Sequence, residues 1–253
     1  MRLATCRTEL GAETVGVVEG DRVHAFSAGL TMLDVIEGGL DRARELAETA
    51  RQADGVPLAD VVLLPPLSPT SIRDFVAFEE HVEGVRRSID GASGVTYAWY
   101  DAPTFYFTNP HTVVGDGDLV EFPERSKARD LELEVAVVVG REGRSLDVDQ
   151  ASEAIFGYTI LNDWSARDLQ GREMQVGLGP AKGKDFASTL GPWIVTADEL
   201  EGYKDADGFL QLRCTVEING EVVGHDLLSN MGWTFEAMIA YASRDSRVLP
   251  GDV

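Results

Sequence analysis

Short apolar runs rich in valine, isoleucine and aromatic residues recur along the chain, separated by glycine, proline, asparagine and aspartate. Runs of about four to eight such residues between turn-forming residues are typical of β-strands. Hairpin turns are predicted at residues 19–21 and at 218–221, where Asn-Gly is a strong turn signal. Further strands are predicted at residues 106–107, 113–114, 119–122, 132–139, 158–161, 193–196, 210–218 and 222–223.

Helical spacing of apolar residues is confined to fewer segments. Thr31 precedes the apolar pair Val35-Ile36 and is a suitable N-cap for a short helix. Further helices are predicted at residues 41–52, 148–154 and 231–242, and residues 71–87 fit either a helix or a loop. Because strands outnumber helices, the sequence predicts an α+β fold that is mostly β.

The proline-rich segment Leu64-Pro65-Pro66-Leu67-Ser68-Pro69 interrupts both kinds of pattern and is the best domain boundary in the chain. A chain of 253 residues can bury a substantial core, as one large domain or as a small domain beside a larger one. We predict a small N-terminal α+β domain at residues 1–66 and a larger domain at residues 67–253.

The charge of the chain limits its partners. Its 43 acidic and 22 basic residues give a formal charge of −21, which argues against electrostatic contact with nucleic acid or an anionic membrane. No apolar segment approaches the roughly 18 residues of a membrane span, and the N-terminus does not resemble a signal peptide. Cys6 and Cys214 are too few for a disulfide framework. We expect a cytoplasmic protein.

The strongest chemical signal is a pair of carboxylates at the start of an apolar run. Glu132 and Glu134 are two residues apart in a predicted strand, so their side chains point to the same face. Two like charges among apolar neighbours are costly unless something neutralises them, and a hard divalent cation with oxygen ligands would do so. Asp163 follows another apolar run and adds a third carboxylate. The sequence therefore predicts a metal site.

Three motifs together resemble the fumarylacetoacetate hydrolase family. They are Glu132-Leu133-Glu134 at the start of an apolar strand, Asn162-Asp163-Trp164-Ser165-Ala166-Arg167-Asp168-Leu169-Gln170, and Gly183-Lys184-Asp185-Phe186 followed by Leu190-Gly191-Pro192-Trp193. The spacing of Asp74 and His81 is similar to that of a metal ligand and a catalytic histidine in the hydrolase branch. The resemblance covers residues 67–253, and residues 1–66 resemble the N-terminal domain of bacterial two-part members.

The resemblance implies a fold, a cofactor and a set of site residues. The catalytic domain would be a mixed β-roll, usually in a homodimer, that binds Mg²⁺, Mn²⁺ or Ca²⁺ and a 2-oxo or diketo acid. The expected metal ligands are Glu132, Glu134 and Asp163, with Asp74 as a further candidate. His81 would be the general base that activates water. Arg167, Gln170 and Lys184 would bind the substrate and stabilise its oxyanion, and Tyr106 would border the pocket.

The activity expected from the resemblance is hydrolysis of a C–C bond in an acylpyruvate-like or fumarylacetoacetate-like acid. Decarboxylation, isomerisation or dehydration of a 2-oxo acid is the alternative within the family, and a non-catalytic acidic metal-binding protein is the alternative outside it. Met174 stands where the animal hydrolase has a substrate-contacting tyrosine, and Thr108 where many bacterial relatives have lysine. Relatives continue past the turn at residues 249–253, so we expect closing strands of the roll to be missing from this sequence.

Each predicted site residue also has a plainer structural alternative. Glu132 and Glu134 could lie on a solvated strand face, Asp163 could merely end a strand or cap a helix, and Asp74 could cap the segment that follows it. His81 and Lys184 could be ordinary surface residues. Arg167 could be a structural ion-pair partner of Asp168 or Asp163.

Overall fold

The computed structural model describes residues 1–8, 11–90 and 93–253, with the backbone alone at residues 88–90. The strands are β1 (Arg2–Thr8), β2 (Glu13–Glu19), β3 (Arg22–Ala25), β4 (Val56–Pro57), β5 (Val61–Leu63), β6 (Ile72–Phe75), β7 (Phe105–Thr108), β8 (Val113–Val114), β9 (Arg129–Asp130), β10 (Leu133–Val139), β11 (Ile155–Asp163), β12 (Ser165–Ala166), β13 (Ser188–Thr196), β14 (Arg213–Ile218) and β15 (Glu221–Leu227). The α-helices are α1 (Met32–Ala50), α2 (Glu79–Asp90), α3 (Tyr97–Asp101), α4 (Val148–Glu153), α5 (Arg167–Met174), α6 (Ala197–Leu200) and α7 (Phe235–Ser243).

A mixed sheet organises the described part of the chain. Its strand order is β10-β11-β13-β1-β2-β3-β4, with β5 paired to β1 and β8 paired to β13. Most neighbours are antiparallel, and β8 runs parallel to β13. Smaller two-stranded sheets pair β6 with β7, β9 with β12 and β14 with β15. The predicted α+β, mostly β architecture is confirmed.

The sheet runs through both predicted domains. Strand β1 pairs with β13 through Arg2 opposite Val195 and Leu3 opposite Ile194. Strands from residues 1–66 therefore extend the sheet formed by β10, β11 and β13. The division at residue 66 remains a prediction, and the two segments share one layer of hydrogen-bonded strands.

Two apolar clusters pack on opposite faces of β11. Phe156 and Leu161 belong to a cluster that includes Ile36 of α1, whereas Ile155 and Tyr158 belong to a cluster that includes Met238 of α7. The pairing register of β11 shifts at Phe156 and again between Tyr158 and Ile160, so strict alternation does not hold along the strand and its side chains serve both clusters. The sheet is thus covered by α1 on one side and by α4 and α7 on the other.

Most of the predicted elements are present. Both hairpins form, and Thr31 caps α1 by accepting a hydrogen bond from the backbone of Asp34, whose side chain accepts one in return from the backbone of Thr31. The two helices predicted near residues 31–36 and 41–52 lie on either side of Gly39, which has a φ of 75°. Residues 71–87 divide into strand β6 and the start of α2.

One predicted strand is absent and one predicted helix is shorter than expected. Residues 119–122 do not form a strand: they follow a turn closed by hydrogen bonds between Gly115 and Asp118, and Leu119 is 86% exposed. The helix predicted at residues 231–242 begins only at Phe235, because Thr234 caps it. Among the described residues, no helix combines the length and apolarity needed to cross a bilayer.

Candidate metal centre

Three carboxylates from three strands converge beside the sheet. Asp74 lies on β6, Glu134 on β10 and Asp163 at the end of β11, and one carboxylate oxygen of each lies within 4.8 Å of the others. Antiparallel pairing places Glu134 opposite Leu161, so Asp163 is two residues further along the adjacent strand on the same face. The position of Asp74 within a strand rules out its alternative as a helix cap.

The three carboxyl groups are held where ionisation is unfavourable. Asp163 is fully buried. Burial, followed by the charge of Asp163, raises the pKa of Asp74 to about 7. Burial and the charge of Asp74 raise the pKa of Glu134 well above its usual value, and burial raises that of Asp163 despite the nearby Lys184. Carboxyl groups in this condition take up either protons or a cation.

Tyr106 joins two of the carboxylates. Its phenol oxygen lies 2.7 Å from Oδ2 of Asp74 and 2.7 Å from Oδ2 of Asp163. A phenol has one proton and can donate it to only one carboxylate at a time. Tyr106 therefore lies in the carboxylate cluster itself, whereas the sequence places it only at the border of the pocket.

Glu132 lies apart from this cluster and contacts cations instead. Its Oε2 accepts a hydrogen bond of 2.5 Å from Nζ of Lys184, which also donates to Asp163, and its Oε1 accepts one of 2.8 Å from Arg167. Burial opposes ionisation of Glu132, but the charges of Lys184 and Arg167 outweigh it and lower its pKa. Glu132 is thus placed to orient Lys184 and Arg167, and the three converging oxygens belong to the other carboxylates.

Lys184 is a buried cation. Only 2% of its side chain is exposed, so the alternative of an ordinary surface lysine is excluded. Burial lowers the pKa of Lys184, but the charges of Asp163 and Glu132 outweigh it and raise the pKa above its usual value. The ammonium group therefore stays protonated, and it lies between Glu132 and one carboxylate of the cluster.

Helix α5 supplies two further predicted site residues. Arg167 donates through Nε to Asp130 at 2.7 Å and through Nη1 to the amide oxygen of Gln170 at 3.0 Å, in addition to its bond with Glu132. The alternative pairing of Arg167 with Asp168 or Asp163 does not occur. Asp130 was not predicted as a site residue, although it lies two residues before Glu132 and the same alternation could have indicated it.

His81 lies at the outer side of the cluster, on α2. Its Nε2 is 3.9 Å from Oε1 of Glu132, and its side chain is 46% exposed. Burial lowers the pKa of His81 by more than the charge of Glu132 raises it. The imidazole is therefore neutral at neutral pH and able to accept a proton.

The donor set fits a hard divalent cation. When ionised, the four carboxylates Asp74, Glu132, Glu134 and Asp163 outnumber the two cations Lys184 and Arg167, and Arg167 also pairs with Asp130, so an excess of negative charge remains. Oδ1 of Asp163 is buried and has no hydrogen-bond partner among the described residues. Carboxylate oxygens are the preferred ligands of Mg²⁺, Mn²⁺ and Ca²⁺. An ion here would satisfy both the charge and the unpartnered oxygen.

Comparison with known proteins is consistent with this geometry. Residues 70–253 match the family model described as fumarylacetoacetate (FAA) hydrolase C-terminal. The chain belongs to this family. The matched region contains each of the residues described above, from Asp74 on β6 to Lys184 after α5.

Individual relatives are enzymes with different names. A fumarylacetoacetase from Oryza sativa subsp. japonica is 34% identical over 166 residues, covering 58% of this chain and 38% of that protein. A mitochondrial oxaloacetate tautomerase from Xenopus laevis is 35% identical over 146 residues, covering 56% of this chain and 43% of that protein. The match thus spans about two fifths of the length of these curated relatives.

A solved structure extends the likeness to the whole chain. Maleylpyruvate hydrolase from Sphingobium sp. SYK-6, in complex with manganese(II) and pyruvate, superimposes with a TM-score of 0.73 and is 25% identical. The superposition covers 100% of this chain and 86% of that one. The fold of this chain is therefore the family fold.

Proposed function

We propose that this protein is a divalent-metal-dependent hydrolase that cleaves a C–C bond in a diketo acid of the acylpyruvate type. The observation that carries the proposal is the convergence of three carboxylates, one of them with a buried and unpartnered oxygen, beside a buried lysine. Mg²⁺, Mn²⁺ or Ca²⁺ would be held by Asp74, Glu134 and Asp163, with Glu132, which shares Lys184 with Asp163, as the fourth proposed ligand. The manganese and pyruvate bound to the Sphingobium hydrolase support this class of ligand.

In the proposed reaction, the cation and the protein side chains have different roles. Bound at the carboxylates, the cation would act as a Lewis acid toward the substrate oxygens. Water adds its oxygen to the carbonyl carbon, the C–C bond breaks, and the fragment that leaves with the electron pair takes up a proton. In this proposal, Lys184 and Gln170 donate hydrogen bonds to the oxygen on which negative charge develops, and Arg167 binds the substrate carboxylate.

His81 is the proposed general base. Its lowered pKa keeps the imidazole neutral at neutral pH, and Glu132 at 3.9 Å can stabilise the imidazolium that forms once a proton is taken from water. The half-exposed position of His81 leaves room for a water molecule between the ring and the substrate.

A second candidate is isomerisation or tautomerisation of a 2-oxo acid at the same centre. It is favoured by the 35% identity to the Xenopus oxaloacetate tautomerase, which is as high as the 34% identity to the Oryza fumarylacetoacetase. Proton transfer next to a carbonyl group needs the metal and the cationic donors but no attacking water. His81 is then dispensable as a water-activating base.

The test is a turnover assay with added Mg²⁺ or Mn²⁺ on acetylpyruvate, fumarylpyruvate, maleylpyruvate and oxaloacetate, with product identification. Hydrolysis predicts pyruvate and a second acid from the diketo acids, and tautomerisation predicts interconversion of oxaloacetate without cleavage. Binding of Mn²⁺ with no turnover of any of these acids would contradict both and favour a non-catalytic metal-binding protein.

A His81→Ala variant separates the two enzymatic candidates. Loss of a general base costs about 10²- to 10⁴-fold in kcat. We expect a loss of that size if water is activated by His81, with Mn²⁺ affinity unchanged because His81 is not among the converging ligands. Full turnover in His81→Ala would contradict the hydrolytic mechanism.

A further inference from the structure

The loop that precedes Lys184 is attached to helix α5 through one side chain, that of Glu173. Oε2 of Glu173 accepts hydrogen bonds from the backbone N–H of Ala181 at 2.9 Å and of Gly183 at 3.1 Å. Oε1 accepts one from the backbone N–H of Lys182 at 2.8 Å. Hydrogen bonds to an ionised carboxylate are roughly twice as strong as those between neutral groups. One carboxylate thus binds three consecutive residues immediately before Lys184.

Two more contacts dock the same loop on α5. The backbone oxygen of Gly183 accepts a hydrogen bond of 2.8 Å from Ala166. A Cβ atom at Gly183 would lie 2.6 Å from the backbone nitrogen of Gln170, a separation that real Cβ atoms do not show, so only glycine allows this approach. The loop then closes in a tight turn, because Lys184 donates its backbone N–H to Ala181 at 3.0 Å.

The location of Glu173 links this anchor to the candidate site. Helix α5 carries Arg167 and Gln170 near its start and Glu173 one turn later. The ammonium of Lys184 reaches Glu132 and Asp163 from the far end of the anchored loop. Burial opposes ionisation of Glu173, but the three backbone donors outweigh it and hold its pKa below the usual value. The anchor is therefore charged at neutral pH.

We propose that Glu173 is a positioning residue that fixes the Lys184 ammonium between Glu132 and Asp163 by holding residues 181–183 against α5. Its effect on turnover rests on the proposed function, in which Lys184 contacts the substrate. Its effect on the position of Lys184 does not, and this difference makes the two separable by experiment.

The direct test is chemical labelling of lysines in Glu173→Ala, in Glu173→Gln and in the control Glu48→Gln, an exposed glutamate on α1. Acetic anhydride acylates neutral, accessible amines, and acylation of Lys184 is measured by mass spectrometry relative to the exposed Lys127. We expect Lys184 to react on the order of tenfold faster in Glu173→Ala than in wild type, because local opening exposes it.

The order of the acylation rates among the variants provides a further check. Glutamine keeps one acceptor oxygen, so Glu173→Gln should react at an intermediate rate, and Glu48→Gln at the wild-type rate. If Glu173→Ala does not fold, the test is the rate of Lys184 acylation in Glu173→Gln compared with that in wild type. Lys184 protected to the wild-type level in folded Glu173 variants would overturn the proposal.

The functional test compares turnover with metal affinity. Misplacement of a catalytic group by about 1 Å can cost on the order of 100-fold in rate, so we expect kcat/KM of Glu173→Ala to fall by about 10- to 100-fold. Mn²⁺ affinity should not fall, since Asp74, Glu134 and Asp163 are held by the backbone hydrogen bonds of their strands and not by the loop. A parallel loss of turnover and Mn²⁺ affinity would indicate general destabilisation and overturn a positioning role.

The two tests also separate this proposal from the proposed function. If wild type turns over none of the 2-oxo and diketo acids, the labelling contrast still supports or overturns the role of Glu173. If wild type is active but Glu173→Ala labels and turns over as wild type does, the proposed function stands and the positioning role is wrong.

Discussion

Replacing Lys184 with methionine should change metal affinity and turnover in opposite directions. Methionine is similar in length and apolar, so it fills the buried space and removes only the charge. The ammonium of Lys184 donates to Asp163, one of the three converging carboxylates, and 2% of its side chain is exposed. In the wild type this cation competes with a metal ion for the same carboxylate. The variant keeps the carboxylates and loses the competitor.

The expected magnitude follows from the charges. Two unit charges about 4 Å apart interact by about 4 kcal/mol at an effective dielectric of about 20, and a divalent ion doubles the charge. Proton uptake by the freed carboxylates offsets part of this gain, as does local relaxation. We therefore expect Mn²⁺ to bind Lys184→Met at least about tenfold more tightly, a difference of about 1.4 kcal/mol. Turnover should be lost, because the oxyanion donor is absent.

Metal-free stability should fall in the same variant. Removing one partner of a buried ion pair costs about 3–5 kcal/mol, because the remaining charge stays uncompensated. For a chain of this size that corresponds to a decrease in Tm of roughly 10 °C. Saturating Mn²⁺ should recover most of the loss, since it restores positive charge beside Asp163.

The assay is isothermal titration calorimetry with Mn²⁺ at pH 8, where proton competition is smallest, together with thermal unfolding with and without Mn²⁺. Lys127→Met is the matched control, since the side chain of Lys127 is exposed, and it should match wild type in both measurements. Mn²⁺ affinity that is unchanged or weaker in Lys184→Met would refute the idea that lysine and metal share Asp163.

The remaining predictions concern the carboxylates and the loop. The folded, metal-free protein holds a proton at Asp74, whose pKa is raised to about 7, while the unfolded chain releases it above its ordinary value of 3.8. The free energy of unfolding without metal should therefore decrease as pH rises from about 4 to about 7, and the stabilisation by Mn²⁺, measured as the change in Tm, should increase over the same range. At pH 8, above the raised pKa of Asp74, Asp74→Asn should raise the metal-free Tm, because it removes a repulsive charge, and should weaken Mn²⁺ binding by calorimetry; a lower Tm at that pH would contradict the assignment of repulsion. Gly183→Ala should lower both Tm and turnover, because its Cβ would lie 2.6 Å from the nitrogen of Gln170; wild-type activity would show that the loop does not need this contact.

Much of the carboxylate cluster follows from local rules in the sequence. Alternation along a strand places Glu134 on a definite face, and an antiparallel neighbour brings Asp163 to the same face. The sequence could not tell which strands are neighbours, and the family resemblance supplied that information. The prediction of Asp74 depended most on the family resemblance, because β6 pairs with β7 and not with the strands that carry the other two carboxylates.

The same local rules could not predict which residues contact Glu132. Alternation predicts Glu132 and Glu134 on one face, yet the first contacts Lys184 and Arg167 while the second joins the converging carboxylates. Glu132 lies just before the start of β10, where the loop carrying Lys184 and the first residue of α5 approach. The loop is held near Glu132 by contacts between side chains and backbone, such as those of Glu173. The pattern of apolar and polar residues in a strand does not predict such contacts.

The contrast between Glu132 and Glu134 suggests how one centre can serve different reactions. The converging carboxylates lie on strands, which are held by ladders of backbone hydrogen bonds. The groups proposed to contact the substrate, Arg167, Gln170 and Lys184, lie on α5 and on a loop fixed by a few side-chain contacts. Changes in α5 or the loop can therefore alter the donors without displacing the metal ligands. Relatives named as hydrolase and as tautomerase are consistent with such a division, and under the proposed function the specificity of this protein would lie between residues 167 and 184.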